Sequence, residues 1–516
     1  MQPPTFADHY AAHELNDLFR LKPGDTAGAL GTARDVDRLA LTGALQLQAE
    51  QLGAPAAVFS SLERLAEPNS RVVVTGQQTG LLLGPLYTLS KAVSAVALAA
   101  RLNTEEKPVV PVFWLASQDA DSAEIDHAYL LDFHERLHRV AVRLPEGVAA
   151  GHIPFESAFL ERALEATEGF GCPEPYRYEV ENLLRESAAC SRTFADWFGA
   201  MLYRLLGHTG LIVLNPLEPE VACLFRPVLE AELAEPLRSS ALINDAAEVL
   251  KERGFTPQLG RAAGATNLFL EEDGQRRLLR FDGEAFSTDT ASYTREDLLK
   301  RLEDDSACIT PAAGLRPITQ DAALPNVATV VGPGELRYFA QLNGVYEAHN
   351  VPMSLAWPRT TATILEPPAA RILEKFDLTA AQVQNDFASA KANKLLELHG
   401  HKLAFDNRLR ALKNLTASMQ KDVSGIDPTL ERTALRAGET LEGIFSKLEA
   451  KSAVALGQRD DTYTRQFARL EAHLLPNGTP QERLISPFSF FLKFGVENVM
   501  KWMLELPAEG DHVLKF

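Results

Sequence analysis

At 516 residues the chain exceeds what one hydrophobic core usually serves, so two or three structural units are expected. Apolar residues make up 46% and charged residues 23%, which excludes disorder for most of the chain. The 69 acidic side chains against 51 basic ones give a formal net charge of −18, which argues against nucleic-acid binding and membrane adhesion but not against a local cationic pocket.

Met1 to Tyr10 carries Pro, Asp and His without an apolar run, so no secretory leader is expected. Phe6 to about Leu65 reads as helical, with Leu39, Leu41, Leu45 and Leu47 in helical spacing. Arg71-Val72-Val73-Val74-Thr75 follows, a β-branched run typical of a buried parallel strand. It ends in Gly76-Gln77-Gln78-Thr79-Gly80, with a second breaker at Gly84-Pro85. Leu86 to Leu102 reads as a helix and Val109 to Ala116 as another strand, a β-loop-α-β unit. The longest apolar stretch, Ala92 to Ala100, is far short of a membrane span, so the cytoplasm is the expected compartment.

Phe194 to Leu206 is helical and Leu211 to Leu214 a strand. Thr266 to Glu271 and Arg277 to Phe281 flank the turn pair Asp273-Gly274, a hairpin inside an insertion of about 220–310. A second unit runs from the strand Asn326 to Val331 through Gly332-Pro333-Gly334 and the helical stretch Glu335 to His349 to a strand at Val351 to Trp357. The whole predicts an α/β fold with a parallel-sheet core over 1–368, into which the hairpin is inserted. Cys172, Cys190, Cys223 and Cys308 form no CxxC pair and are expected to be reduced, mostly buried thiols.

From about Ala369 leucines such as Leu395, Leu396, Leu403, Leu409 and Leu415 stud a strongly polar stretch. Leu441, Ile444, Leu448 and Ala455 fit a and d positions of a short heptad pattern. With the break at Gly425 to Pro428, this predicts a helical coiled-coil hairpin over 369–475, with a helical cap packed on the main domain as the other reading. The aromatic-rich end, 476–516, is expected to pack back on a core.

Ligands of open parallel sheets bind beyond the carboxyl ends of the strands. Three polar groups fall there. The first is the glycine loop with Gln77, Gln78, Thr79, Tyr87 and Lys91, which matches neither GxGxxG nor the Walker pattern; close packing is its bland alternative. The second follows the strand holding Trp114: Gln118, Asp119, Asp121, Glu124 and His127. His127 could serve as a base and share a helical face with Glu124, while a solvated acidic loop is the other reading; no metal is assigned. The third comprises Arg316, Gln320, Asp321, Gly332, Gly334, Glu335, Tyr338 and Arg359, whose guanidiniums suit carboxylates.

Together these residues resemble a known family. Thr75-Gly76-Gln77-Gln78-Thr79-Gly80, Gly84-Pro85-Leu86-Tyr87-Thr88 with Lys91, and Pro111 to Ala116 are similar to the signature of the cysteine ligases of bacillithiol biosynthesis, the BshC family. Asn267-Leu268-Phe269-Leu270, Arg316-Pro317 with Gln320-Asp321, Gly332-Pro333-Gly334-Glu335 and Gln481-Glu482-Arg483 extend the match. The resemblance implies a Rossmann-like core, a coiled coil that mediates a homodimer, and the joining of cysteine, through its carboxyl group, to the amine of glucosaminyl-malate. Lys91, Arg316 and Arg359 suit the malate carboxylates; Asp119, Asp121 and His127 are candidate bases, and ATP is a chemically reasonable activator. One departure concerns the base: where the family reads Gly-Glu-Asp-His-Asp, this chain has Ser117-Gln118-Asp119-Ala120-Asp121, and Ser90 stands for the histidine before the lysine. Two alternatives are a metal-dependent nucleotidyl or glycosyl transferase using Asp119 and Asp121, and a non-catalytic pathway scaffold.

Overall fold

The computed structural model describes residues 4–457 and 461–515. It divides into two compact units. The first holds the described residues up to Phe133, His138–Ala362 and Ile485–His512; the second holds His134–Leu137, the described part of Thr363–Leu484, and the described residues from Val513 on.

The first unit is built on a five-stranded parallel sheet in the order Leu355–Pro358, Asn326–Val331, Arg71–Gln77, Val109–Leu115, Ile212–Leu214. The chain enters at the middle strand, Arg71–Gln77, moves outward to Ile212–Leu214, then crosses to the other side for the last two strands. The order therefore reverses between Arg71–Gln77 and Asn326–Val331, and a crevice opens beyond their carboxyl ends. This is the parallel-sheet core expected from the alternating pattern, in the Rossmann-like form that the family resemblance implies.

The sequence explains the central strands. Val72, Val73, Val74 and Thr75 are fully buried, as β-branched side chains covered on both faces should be. Pro111 sits in an inner strand, where a missing N–H is normally costly. Here Ala116 N donates to Gln77 O, so the two-residue alternation turns the Pro111 nitrogen to the other side. On that side pairing with Ile212–Leu214 starts only at Val112. The helix Tyr87–Leu102 covers the sheet with an unbroken buried run from Thr88 to Ala95. Its Ala and Ser residues let it lie close, and Ser94 Oγ is satisfied by Ser90 O at 2.8 Å.

Several expectations shift in detail. In the helix Arg38–Gln51, Leu41 and Leu45 are buried while Leu39 and Leu47 are exposed, so half of the leucine pattern faces inward. The stretch after Gly332 is two helices, Pro333–Phe339 and Asn343–Ala348, and the last strand is limited to Leu355–Pro358. The hairpin, Ala265–Glu272 with Gln275–Phe281, belongs to a second five-stranded sheet. Its turn residues Asp273 and Gly274 both have positive φ, 50° and 72°, as a tight hairpin turn requires. Cys172, Cys190 and Cys308 are half-buried and Cys223 is exposed, so the thiols are less enclosed than expected. Phe488, Phe490 and Phe491 are fully buried in the first unit.

The second unit is helical. Its core gathers Phe376, Val383, Leu396, Phe467 and Leu470. From it extend two long arms, Lys402–Ile426 and Glu431–Gly457. The arms meet through the Phe405–Phe445 ring pair, with centroids 5.8 Å apart, and through small residues further out, where a Cβ at Gly438 would lie 3.3 Å from Thr416 Cβ. Lys402–Glu449 and Lys413–Glu442 ion pairs, at 2.9 Å and 3.4 Å, cross between them. Leu441, Ile444 and Leu448 are 41%, 59% and 57% exposed, so the heptad positions face outward and not toward the other arm. Among the described residues no helix is long and apolar enough to cross a membrane.

Candidate active site

The crevice of the first unit opens where Gly76 meets its neighbour strand. A Cβ at Gly76 would lie 2.9 Å from Trp114 O and 3.1 Å from Trp114 Cβ, so the approach of the two strands requires glycine. Beyond it the loop turns through Leu82, Leu83 and Gly84, all at positive φ (49°, 63° and 62°). For leucine this conformation costs roughly 1–3 kcal/mol per residue. Ser486 Oγ donates to Leu82 O and Leu86 N donates to Ile485 O, both at 2.8 Å, which pins the turn. Gly80 N and Gly84 N donate to Gln78 O and Leu81 O within the loop, so these amides do not form a phosphate cradle.

Lys91 projects back from the first turns of the following helix. It is 4% exposed, and its Nζ donates to Gly76 O and Gln77 Oε1, both at 2.9 Å, and pairs with Glu335 Oε2 at 2.6 Å. Three acceptors match the three protons of an ammonium. Burial lowers the lysine pKa and Glu335 pulls it back up. Glu335 also accepts from Gly332 N at 2.7 Å, capping the helix Pro333–Phe339, so one carboxylate fixes both walls of the crevice. Gln77 Nε2 donates to Tyr87 OH at 3.2 Å, and the Arg359 guanidinium lies 5.7 Å above the Tyr87 ring. A Cβ at Gly332 would stand 3.4 Å from Glu335 Oε2 and 3.9 Å from both Arg359 Nε and Lys91 Cε. Gln77, Tyr87, Lys91, Gly332, Glu335 and Arg359 thus converge; Gly334 borders open space.

Gln78 leads to the second wall by donating to Asp119 Oδ2 at 2.8 Å. Arg316 lies 5.8 Å over the Trp114 ring and donates to Gln320 Oε1 at 2.9 Å and Tyr338 OH at 3.3 Å. Burial pushes the Tyr338 hydroxyl up to about 12, with Arg316 pulling the other way. Asp321 lies deeper: it accepts from Gln320, Asn326, Tyr346 and the Ser354 amide, tying its helix to the strand Asn326–Val331, to the helix Asn343–Ala348 and to the residue before the last strand. Thr79 is fully buried, and its hydroxyl has no hydrogen-bond partner among the described residues.

Two candidate bases lie elsewhere. Asp121 accepts from Ala123 N at 3.2 Å and caps the short helix Ser122–Ile125. His127 opens the strand His127–Leu131 and sits 2.6 Å from Asp126 Oδ1. Glu124 and His127 therefore share no helical face, because a strand begins between them. The reading by sequence also missed Arg276, which the tight turn returns opposite Glu271 and which approaches Asp119 at 3.6 Å. The available signal was the Asn267 to Leu270 match on the paired strand.

A parallel sheet with a polar, cation-rich cleft at its switch point defines the class: a Rossmann-like α/β protein. The chain belongs to the bacillithiol biosynthesis BshC family. Its N-terminal Rossmann-like domain model matches residues 8–360 and its C-terminal coiled-coil domain model residues 362–514. Two strains of Thermus thermophilus have proteins named "Putative cysteine ligase BshC" that are each 36% identical to this chain, over 461 and 467 residues. The alignments cover 89% and 90% of this chain and 90% and 92% of the relatives. A Geobacillus thermodenitrificans protein of the same name is 30% identical over 504 residues, covering 94% of this chain and 91% of its own. Among solved structures, a Thermus thermophilus arginyl-tRNA synthetase aligns over 91% of this chain and 86% of its own at 12% identity and a TM-score of 0.17, too low to carry an argument.

Proposed function

We propose that this protein is a ligase of bacillithiol biosynthesis that joins the cysteine carboxyl group to the amine of glucosaminyl-malate. One observation carries the reading: in a chain of this family, Gln77, Lys91, Glu335 and Arg359 converge at the sheet's switch point, beside Asp119 and Arg316. The step forms a C–N bond, breaks the bond from the acyl carbon to its activating group, and releases one amine proton. Asp119 is the proposed acceptor of that proton, since of the three candidate bases it is the one hydrogen-bonded to the glycine loop. Lys91 holds Gln77 and Glu335 in place and lends positive charge to the developing oxyanion. When bound, ATP would supply the leaving group on the cysteine carboxyl. The Gly80 and Gly84 amides are used internally and the Lys91 ammonium is taken by three acceptors, so its phosphates would depend on guanidinium side chains such as Arg359. The active form is a homodimer through the coiled coil, acting in the cytoplasm; the outward stripe Leu441, Ile444, Leu448 supports the dimer.

The test is direct. Purified protein given cysteine, glucosaminyl-malate and ATP should yield the amide-linked thiol, read by mass after thiol labelling. Omitting ATP should abolish it. If no product forms, and cells lacking the protein still make bacillithiol, the reading is wrong.

A further inference from the structure

Arg276 stands between two carboxylates that come from distant parts of the chain. On one side it pairs with Asp119, a terminal nitrogen lying 3.6 Å from Oδ1. On the other, the hairpin register places Glu271 opposite it on the paired strand. The guanidinium is held in place: Nε donates to Thr310 Oγ1 at 3.1 Å, the second terminal nitrogen donates to Pro311 O at 3.0 Å, and the group stacks 4.0 Å over the Phe269 ring. The backbone adds to this, since Arg276 N donates to Gly147 O and Ala150 N donates to Asp119 O, both at 3.0 Å. The short segment from Gly147 to Ala150 therefore fastens the hairpin to the residue that its arginine serves.

The two carboxylates are unequal. Asp119 accepts from Gln78 and from the Ala120 amide. Glu271 is 10% exposed, and among the described residues neither of its oxygens has a hydrogen-bond partner. A buried carboxylate without donors resists ionisation unless a cation is given to it. The other groups that face Glu271 supply none at neutral pH. His152, in the turn Ala150–His152, lies 3.8 Å away, and burial lowers its pKa below the usual imidazole value against a smaller pull from Asp305. The Asp305 carboxylate adds like charge at Glu271. Cys308, whose carbonyl accepts from the Glu271 amide, has its thiol pushed up to about 12, chiefly by burial, and is neutral there. Among the described residues facing Glu271, Arg276 is thus the cation at hand, and Asp119 already uses it.

We propose that Glu271 is a positioning residue for amide formation, competing with Asp119 for the guanidinium of Arg276. As the neutral acid, Glu271 leaves Arg276 wholly to Asp119 and keeps that carboxylate fixed between Arg276 and Gln78. As the carboxylate, it takes a share of the same charge and loosens Asp119. The coupling is mutual, because two anions that share one cation each weaken the other's hold on it. Removing the charge of Asp119 therefore makes Glu271 easier to ionise. The proposal rests on the ligase reading in one respect, that Asp119 accepts the amine proton.

The experiment uses the full-length protein and Glu271→Gln, which copies the neutral acid. Dividing kcat of wild type by kcat of Glu271→Gln cancels the titration of the substrate amine. The ratio should be level below about pH 6 and fall by about threefold or more by about pH 8.5, with KM for cysteine moving less than about twofold. A side chain that only supported the fold would shift the ratio equally at every pH. The second arm needs no turnover. The difference in urea midpoint between wild type and Glu271→Gln should fall with pH until Glu271 is ionised, and stay level beyond. With Asp119→Asn in both proteins, the pH at which it levels should drop by about half a unit or more, because Arg276 then serves Glu271 alone. Asp119 is 44% exposed, so this substitution spares the fold. A ratio that stays level with pH, or a midpoint difference that levels at the same pH in both backgrounds, would overturn the proposal. The two ideas fail separately: a shifted levelling point in a protein that makes no amide sinks the ligase reading alone, whereas amide formation with no shift sinks the competition alone.

Discussion

Lys91 and Glu335 show how much a single side chain organises here. The ammonium is almost wholly buried, and the carboxylate beside it is also the cap of the facing helix. Glu335→Ala leaves a buried charge with neutral acceptors alone, so it should cost about 3–5 kcal/mol in urea unfolding and abolish thiol formation. Glu335→Gln keeps an acceptor for the Gly332 amide and should cost clearly less; equal stability of wild type and the alanine variant would refute the pairing. Glu271 offers a second test at this scale. Its two oxygens are buried with no hydrogen-bond partner among the described residues, and burial pushes its pKa from 4.5 to about 7 while Arg276 pulls it down. Between those values the folded chain holds a proton that the unfolded chain has released. Stability from this group is therefore complete below 4.5 and falls as pH rises through about 7. The urea midpoint of wild type should drop between about pH 5 and pH 8 relative to Glu271→Gln, in which that group no longer titrates. A parallel pH course for both proteins would show that Glu271 is ionised throughout.

At the scale of elements, the site depends on how closely the strands Arg71–Gln77 and Val109–Leu115 approach. Gly76→Ala places a methyl group against Trp114 backbone and Cβ, neither of which can swing aside. It should cost about 1–3 kcal/mol in unfolding and lower the rate of thiol formation by moving Gln77 and Trp114 together. A fully active, fully stable variant would mean that the strands part freely. Much at this scale was legible in the sequence, because local rules settled it. The run Val72 to Val74 is a buried strand on composition alone, and Asp273-Gly274 is a turn because few other pairs adopt two positive φ values. What was not legible depended on register across the chain. Asp321 is chemically a plausible ligand-binding carboxylate, but the fold surrounds it with four donors from residues up to 33 positions away. Arg276 falls between the turn pair and the expected strand Arg277 to Phe281, and only the hairpin register places it opposite Glu271 and near Asp119.

For the whole molecule the same distinction holds. The change of texture after Ala369 announced a separate helical region, yet the heptad pattern pointed to the wrong partner. Leu441, Ile444 and Leu448 do not pack into the opposite arm, because Phe445 and Gly438, not they, face Phe405 and Thr416 across the seam. The leucine stripe is left on the outside, as is the stripe of Leu415 and Met419 on the other arm. Apolar side chains of this size gain about 1.5–3 kcal/mol each when covered, whereas association costs about 4–15 kcal/mol in lost freedom. One or two such residues could not hold two chains together, but three from each copy can, so the proposed dimer should depend on the whole set. Light scattering at micromolar concentration should then give a dimer for wild type, a dimer weakened by about a hundredfold or more for Ile444→Ser, since each copy loses one side chain, and a monomer for the triple serine variant. The triple variant should retain the thermal transition of wild type, because the replaced side chains contribute little to either arm's packing. A monomeric wild type, or a triple variant that still dimerises, would remove the stripe as the interface.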